Sequence, residues 1–411
     1  MQAKHARRMS VVLLLLLAHA LQAQQFRGAL KTVRNESDFP IYSRMLRSAP
    51  QLGASRQDFV GDEACRTCHL DIAESYLRTA HHSTSRLPTS ESIAGSFAAG
   101  NNLLKTSNPG LYFQMESRPD GFYQTALLSL PRGSSSHSER IDIVIGSSRI
   151  GQTYLYWKDN RLFQLPVSYW IDPAGWINSP GYHDGTAKFD RPVPPRCLEC
   201  HSTFAQYLPG GGIENRYEPS SLQLGISCER CHGNGSAHMK AMTTAKTGGI
   251  IVNPAKLTRD RQIEVCAQCH SGSRQPSLPS FSYIPGAPLD QYLRHNAPDS
   301  STKVDVHGNQ VGLLQLSRCF QESATMTCVT CHNVHQVQRD AANFSTRCLQ
   351  CHRPEACRIF PKFGEKIVAG CVNCHMPVQP SNLIISNSNG KQVRAFLRSH
   401  WIKIYPENQT P

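Results

Sequence analysis

The stretch Cys328-Val329-Thr330-Cys331-His332, followed by Cys348-Leu349-Gln350-Cys351-His352 and Cys371-Val372-Asn373-Cys374-His375, decides how the rest of the chain is read. Four further Cys-x-x-Cys-His segments lie upstream: Cys65, Cys68 and His69; Cys197, Cys200 and His201; Cys228, Cys231 and His232; Cys266, Cys269 and His270. This pentapeptide is the attachment pattern of c-type haem. Two thiols add to the porphyrin vinyl groups, and the adjacent histidine reaches the iron as proximal ligand. With 16 Cys and 18 His in 411 residues, chance yields about 0.03 copies, so seven copies are seven sites. Zinc is the competing reading, because Cys-x-x-Cys pairs also build tetrahedral zinc sites. Zinc has no need of a histidine directly after every second cysteine, and the pattern therefore favours seven covalently attached haem c groups.

Composition agrees with that reading. Gly and Pro together number 28 and 26 residues, which is thin material for a conventional core of this length. Porphyrins would supply the missing apolar surface. The expected fold is mainly α with long loops wrapped around haems, plus one small antiparallel β insertion. The formal charge of +13 invites a nucleic-acid reading, which we reject. Removing Lys4, Arg7 and Arg8 with a signal segment leaves +10, and each ferric haem with ionised propionates brings about −1. The basic excess is propionate compensation, so it points to no nucleic-acid partner.

In chain order, residues 1–23 read as a secretory signal peptide, with Lys4, Arg7 and Arg8 before the apolar run Val11–Leu17. That run is too short to span a bilayer, and no later segment is apolar enough to do so. A periplasmic or extracellular location follows as the expectation. Residues 24–60 read as a linker and 61–110 as the first haem segment, in which Asp62 caps a helix carrying Cys65, Cys68, Ile72, Tyr76 and Ala80 on one face. Residues 111–182 read as a β-rich insertion: Ile141, Ile143 and Ile145 alternate, as do Phe163, Leu165, Val167 and Tyr169. Residues 157–161 read as a hairpin turn, and Pro166 places the second strand at a sheet edge. Residues 183–380 read as a six-haem array, its last motifs only 20 and 23 residues apart, which forces neighbouring porphyrins together. Residues 381–411 read as a C-terminal segment supplying a distal histidine.

Seven irons need distal ligands if all are six-coordinate. The candidates are one of His81 and His82, then His183, His238, His307, His335 and His400; His137 and His295 read as surface residues. His238 follows His232 by six residues and His335 follows His332 by three. Neither can cross to the far face of its own haem, since three residues of helix advance only about 4.5 Å. Each is expected to ligate a neighbouring haem. The candidates number one short of seven: either His81 and His82 serve different haems, another residue such as Met fills the gap, or one iron is open. Cys319 and Cys357 stand outside the motifs and are expected to pair as a disulfide in an exported protein.

With these residues laid out, the chain resembles the multihaem c-type cytochromes related to the tetrahaem cytochrome c of nitrifying bacteria and to hydroxylamine oxidoreductase. The likeness rests on Cys228-Glu229-Arg230-Cys231-His232 with its trailing His238, and on Cys328–His332 with His335. It rests also on Gly61–Cys65 with the later His pair, on Cys371–Pro377, and on Ser399-His400-Trp401. It covers roughly 61–110 and 183–402. The resemblance implies that the late histidine and those trailing the motifs are distal ligands. It does not carry over catalysis: seven motifs stand here where hydroxylamine oxidoreductase has eight, and no Cys-x-x-Cys-Lys site exists. The expected function is an exported heptahaem electron carrier, with no catalytic residue assigned and with redox proteins as donor and acceptor. The alternative is a small-molecule oxidoreductase, of nitrogen or sulfur oxide type, at one five-coordinate haem. A third reading makes the chain a subunit of a haem filament; the sequence favours no particular oligomeric state.

Overall fold

A computed structural model describes residues 59–208, 215–244, 251–295 and 308–406. The signal segment, nearly all of 24–60, and His307 lie outside the described residues. Eleven strands run from the end of the first motif segment to the second motif. They are β1 (Ser85–Arg86), β2 (Leu103–Lys105), β3 (Leu111–Arg118), β4 (Gly121–Leu130), β5 (Gly133–Arg140), β6 (Ile143–Ile145), β7 (Gly151–Lys158), β8 (Arg161–Gln164), β9 (Val167–Trp170), β10 (Gly175–Asn178) and β11 (Arg191–Pro192). Strands β2 to β5 form a four-stranded meander. The others form a seven-stranded sheet in the order β1-β6-β7-β8-β11, with β9 pairing to β7 and to β10. Alternation explains the packing: Leu111, Phe113 and Met115 of β3 point inward and are almost completely buried. They meet Val144, Tyr154, Leu165, Val167 and Trp176 in one cluster.

This corrects the expectation of a mainly α fold with a small insertion. The chain is 30% helical and 28% strand. The physical reason is that the motifs need little helix. Each occupies about one turn, as in the five-residue helices Pro195–Glu199, Cys228–His232 and Cys371–His375. The segments between the motifs are free to pair as strands. Asp62 is not an N-cap; it is the first residue of the helix Asp62–Arg66, and a break around His69 separates that helix from Leu70–Tyr76. The turn at Asp159-Asn160 joins β7 to β8, with Asp159 at φ 55°. Strand β8 is not an edge, since β11 covers it. Pro166 instead breaks the run, so that Phe163 lies in β8 while Val167 begins β9.

Three further hairpins follow: β12 (Ser202–Phe204) with β13 (Gln223–Leu224), β14 (Arg274–Pro276) with β15 (Leu293–His295), and β16 (Val378–Ser388) with β17 (Lys391–Arg398). The last is the longest, and its turn is Asn389-Gly390, both at positive φ (51° and 70°). It docks on β10 through Ser388 and Ser386, which bond the backbone N–H and carbonyl of Asn178 at 2.8 and 2.7 Å. The docking carries the chain to His400. Among the described residues no helix is long and apolar enough to cross a membrane.

Candidate haem-binding cavity

Each motif closes a single helical turn. The N–H of His69 donates to the Cys65 carbonyl at 2.9 Å, that of His332 to Cys328 at 3.0 Å and that of His352 to Cys348 at 2.9 Å. An i, i+4 turn puts the first cysteine and the histidine on one face. All fourteen motif cysteines and all seven motif histidines line one continuous, mainly apolar cavity of about 3490 Å³. An ordinary ligand pocket holds roughly 300–1,000 Å³. Shared among seven motifs, the volume is about 500 Å³ for each, the size of a pocket for one large cofactor.

Four pairs of imidazoles face each other across this space. His69 and His238 have ring centroids 6.5 Å apart, His232 and His335 6.1 Å, His332 and His400 6.3 Å, and His81 and His270 6.0 Å. A metal held at about 2.0–2.1 Å by a nitrogen of each ring would put the centroids about 6.3 Å apart. The four gaps therefore fit an iron between two axial histidines. Each pair joins a motif histidine to one supplied by another part of the chain. His238 trails the third motif and faces the first, while His335 trails the fifth and faces the third. His81 trails the first and faces the fourth.

Neighbouring groups orient these rings. The Nδ1 of His232 lies 2.8 Å from the Val252 carbonyl, that of His375 2.9 Å from Lys403, and that of His400 3.3 Å from Arg398. His201 Nδ1 meets Thr84 Oγ1 at 3.0 Å. Engaging Nδ1 leaves Nε2 for a metal, the usual outer-shell arrangement around ligating histidines. Burial, and then the facing imidazole, push His81 and His400 down to about 4. Both rings are then neutral at physiological pH, the ligating form.

The other candidates are placed elsewhere. His82 turns out of the cavity, its Nε2 3.3 Å from Asp62 Oδ2. His183 is exposed and does not line the cavity. Its neighbour Asp184 explains why: that carboxylate accepts N–H groups from Ser107 and Gly390 at 3.1 and 2.8 Å, pinning the turn against the β16–β17 hairpin. His307 lies outside the described residues. His352 and His375 face no second imidazole among the described residues. His137 is exposed on β5 beside Glu139. Cys319 and Cys357 are both free, which corrects the expected disulfide. Cys319 sits near Cys331, Cys348 and Cys351, whereas Cys357 sits near Cys371 and Cys374.

Different motifs also meet. The N–H of Cys228 donates to Asp62 Oδ1 at 3.0 Å, Cys269 Sγ lies 4.0 Å from the Glu199 carbonyl, and Arg259, on the helix that carries Cys266, donates to the Met326 carbonyl just ahead of Cys328 at 3.0 Å. Motif one thus abuts three, two abuts four, and four abuts five. Sequence reading missed these junctions, and it missed the residues inside the motifs that build them. Glu229 accepts the N–H groups of Val60, Gly61 and Gly235 at 3.0, 2.9 and 2.7 Å.

Comparison with known proteins agrees with this geometry. The family model "Cytochrome c554 and c-prime" matches residues 181–233. The chain is similar to the C-type polyhaem cytochrome OmcC of Geobacter sulfurreducens, 25% identical over 166 residues that cover 35% of this chain and 20% of that protein. It is similar to the dissimilatory sulfite reductase MccA of Wolinella succinogenes, 22% identical over 396 residues that cover 79% of this chain and 51% of MccA. The chain therefore spans between a fifth and about half the length of these relatives. In fold it is similar to the outer cell wall cytochrome OcwA, with a TM-score of 0.52 and 18% identity over 84% of this chain and 80% of that one.

Proposed function

Because the chain belongs to the multihaem c-type cytochromes, we propose that it is an exported heptahaem carrier moving electrons along closely packed haems between a membrane or periplasmic donor and a terminal acceptor. The observation that carries this reading is the single cavity lined by all seven motifs, with neighbouring motifs joined by hydrogen bonds such as those of Cys228 to Asp62 and of Arg196 to the Gln268 carbonyl. Bound haem c supplies reversible one-electron chemistry at iron. The chain supplies everything else. The seven cysteine pairs would anchor the porphyrin edges, and His69, His201, His232, His270, His332, His352 and His375 would ligate the iron. His238, His81, His335 and His400 would supply second ligands at four motifs and tie each of those four to another segment. Irons held by two imidazoles would be closed to small molecules, which favours carriage over catalysis. Export is supported by the basic and apolar start of the chain and by the likeness to an outer cell wall cytochrome.

A second reading rests on one observation. His352 and His375 have no facing imidazole among the described residues, and Cys351 and His352 are exposed, so an iron held there would be within reach of a small oxyanion. The likeness to a sulfite reductase makes a sulfur oxide the first ligand to try. Intact-mass measurement on the exported protein tests the haem count, with seven additions expected. An electron paramagnetic resonance spectrum of the ferric protein then separates the readings. Carriage alone predicts low-spin iron indifferent to cyanide and sulfite; a high-spin signal displaced by sulfite selects the second.

A further inference from the structure

Haem attachment leaves the two residues between the cysteines of each motif unspecified, yet the second, third and fourth motifs each bury at least one charged or polar residue there. Glu199, Arg230 and Gln268 are 3%, 6% and 2% exposed. Where motifs two and four meet, with Cys269 Sγ 4.0 Å from the Glu199 carbonyl, they form one node. Arg196 Nη1 donates to Glu199 Oε2 at 2.8 Å, and its Nη2 to the Gln268 carbonyl at 2.8 Å. Arg230 Nη2 donates to the Glu199 carbonyl at 3.0 Å and lies 3.6 Å from the Glu199 carboxylate. The N–H of Phe281 donates to Glu199 Oε1 at 2.9 Å. Phe281 holds φ at 68° to do so, a conformation that costs a non-glycine residue free energy and persists only where its surroundings enforce it. Two guanidinium groups against one carboxylate leave the node at +1.

The contact between motifs one and three is built with the opposite sign. Glu229, 3% exposed, is held among the described residues by the three backbone N–H groups of Val60, Gly61 and Gly235. Asp62 accepts the N–H of Cys228 at 3.0 Å, and the side chain beside it is His82. Arg66, inside the first motif, is ion-paired with Glu63 and Glu74 at 3.5 and 3.0 Å, and Arg230 turns its guanidinium to Glu199, so even with His82 protonated the carboxylates leave this junction negative. Both junctions are buried, where charge is poorly screened by salt and acts strongly over short distances.

We propose that these two junctions poise the chain's electrons. Asp62 and Glu229 disfavour an added electron at motifs one and three, while the Arg196–Glu199–Arg230 node favours one at motifs two and four. This inference rests on haem occupying the motifs. The transfer is a one-electron exchange: the first pair is oxidised as the second is reduced, and no bond forms or breaks. The motif interiors therefore give the array a built-in direction, from the first motif toward the second and fourth.

The test is a spectroelectrochemical titration of the full-length exported protein and two variants, Glu229→Gln and Arg196→Gln, each with its haem count measured by intact mass. Glu229→Gln should raise the lowest-potential haems and Arg196→Gln should lower the highest. Each should change the oxidised-to-reduced ratio of about two haems roughly tenfold at fixed poise, which is about 59 mV for a one-electron couple. Both variants should narrow the titration. Unchanged width, or movement of both variants in the same direction, overturns the proposal. If Glu229→Gln fails to accumulate, Asp62→Asn asks the same question at the same junction. Wild-type protein with fewer than seven haems would count against the functional reading instead, and the two failures are thereby told apart.

Discussion

Between Leu103 and Trp176 the chain buries Leu104, Leu111, Phe113, Met115, Ala126, Val144, Tyr154, Leu165 and Val167 in a core of its own side chains; between Cys328 and His375, which carries three motifs, the only buried apolar side chains are Ile367 and Val372. The first region has two sheets to close over its core. The second has short helices and 3₁₀ turns, joined by contacts such as Ser345 Oγ donating to the Ala369 carbonyl at 2.9 Å. Its inner surface is cavity wall. A sheet core supplies its own apolar filling, whereas the motif region is shaped to receive filling from outside. The two regions should accordingly respond to opposite insults.

The largest effect is expected from withholding haem from the second region. With Cys328, Cys331, Cys348, Cys351, Cys371 and Cys374 all changed to Ser, amide protection across 328–375 should fall about a thousandfold, or about 4 kcal/mol of local opening free energy. Strands β3, β4 and β7 should stay protected. Hydrogen exchange read by mass spectrometry checks this, and equal loss in both regions would break the contrast. The reverse insult is Phe113→Ala, which opens a cavity between the sheets and should cost about 3–5 kcal/mol. Denaturation followed by far-ultraviolet circular dichroism should show that loss while the haem absorption bands of the folded protein keep their positions.

How much of this was legible in the sequence divides along the same line. The motif cysteines and histidines are specified by bond-forming chemistry, and a pentapeptide records that chemistry whatever surrounds it. Rise per residue pointed His238 and His335 away from their own motifs, and their rings face His69 and His232 of other motifs. The sheets were under-read for a different reason. Strands β1, β2 and β11 are two or three residues long, too short for alternation to register. The β16–β17 hairpin carried a clear signal that went unused: Asn389-Gly390 between Leu383-Ile384-Ile385 and Val393-Ala395-Phe396. Which residues build the motif junctions was not legible, since the partners that join one motif to another lie far apart in the chain: Phe281 and Arg230 on Glu199, Val60 and Gly61 on Glu229.

Two smaller changes probe the seam between the regions. His335→Ala should remove one ring of the His232–His335 pair and convert one haem equivalent from low to high spin, read by electron paramagnetic resonance, with the sheets unaffected. Tyr76 stands beside the same pair: its ring meets His335 edge-on at 6.1 Å, and its hydroxyl donates to the Ile226 carbonyl at 2.6 Å. Tyr76→Phe leaves that buried carbonyl unpaired, at a cost of about 1–3 kcal/mol. Because Ile226 leads directly into the third motif, the loss should appear as earlier melting of the haem bands than of the sheet signal.

The smallest effect is expected at His183, and it is informative because sequence reading placed that residue among the ligands. Its turn is fixed to the sheet region, not to the cavity, through Asp184 and the backbone N–H groups of Ser107 and Gly390. A side chain exposed on such a turn can be removed with a change within about 0.5 kcal/mol. His183→Ala should therefore leave stability, haem content and the spin-state distribution as they are in the unaltered protein. Appearance of one new high-spin iron would mean that this turn leaves the sheet to reach a haem, and the separation between the self-filled and the haem-filled regions would fail at that point.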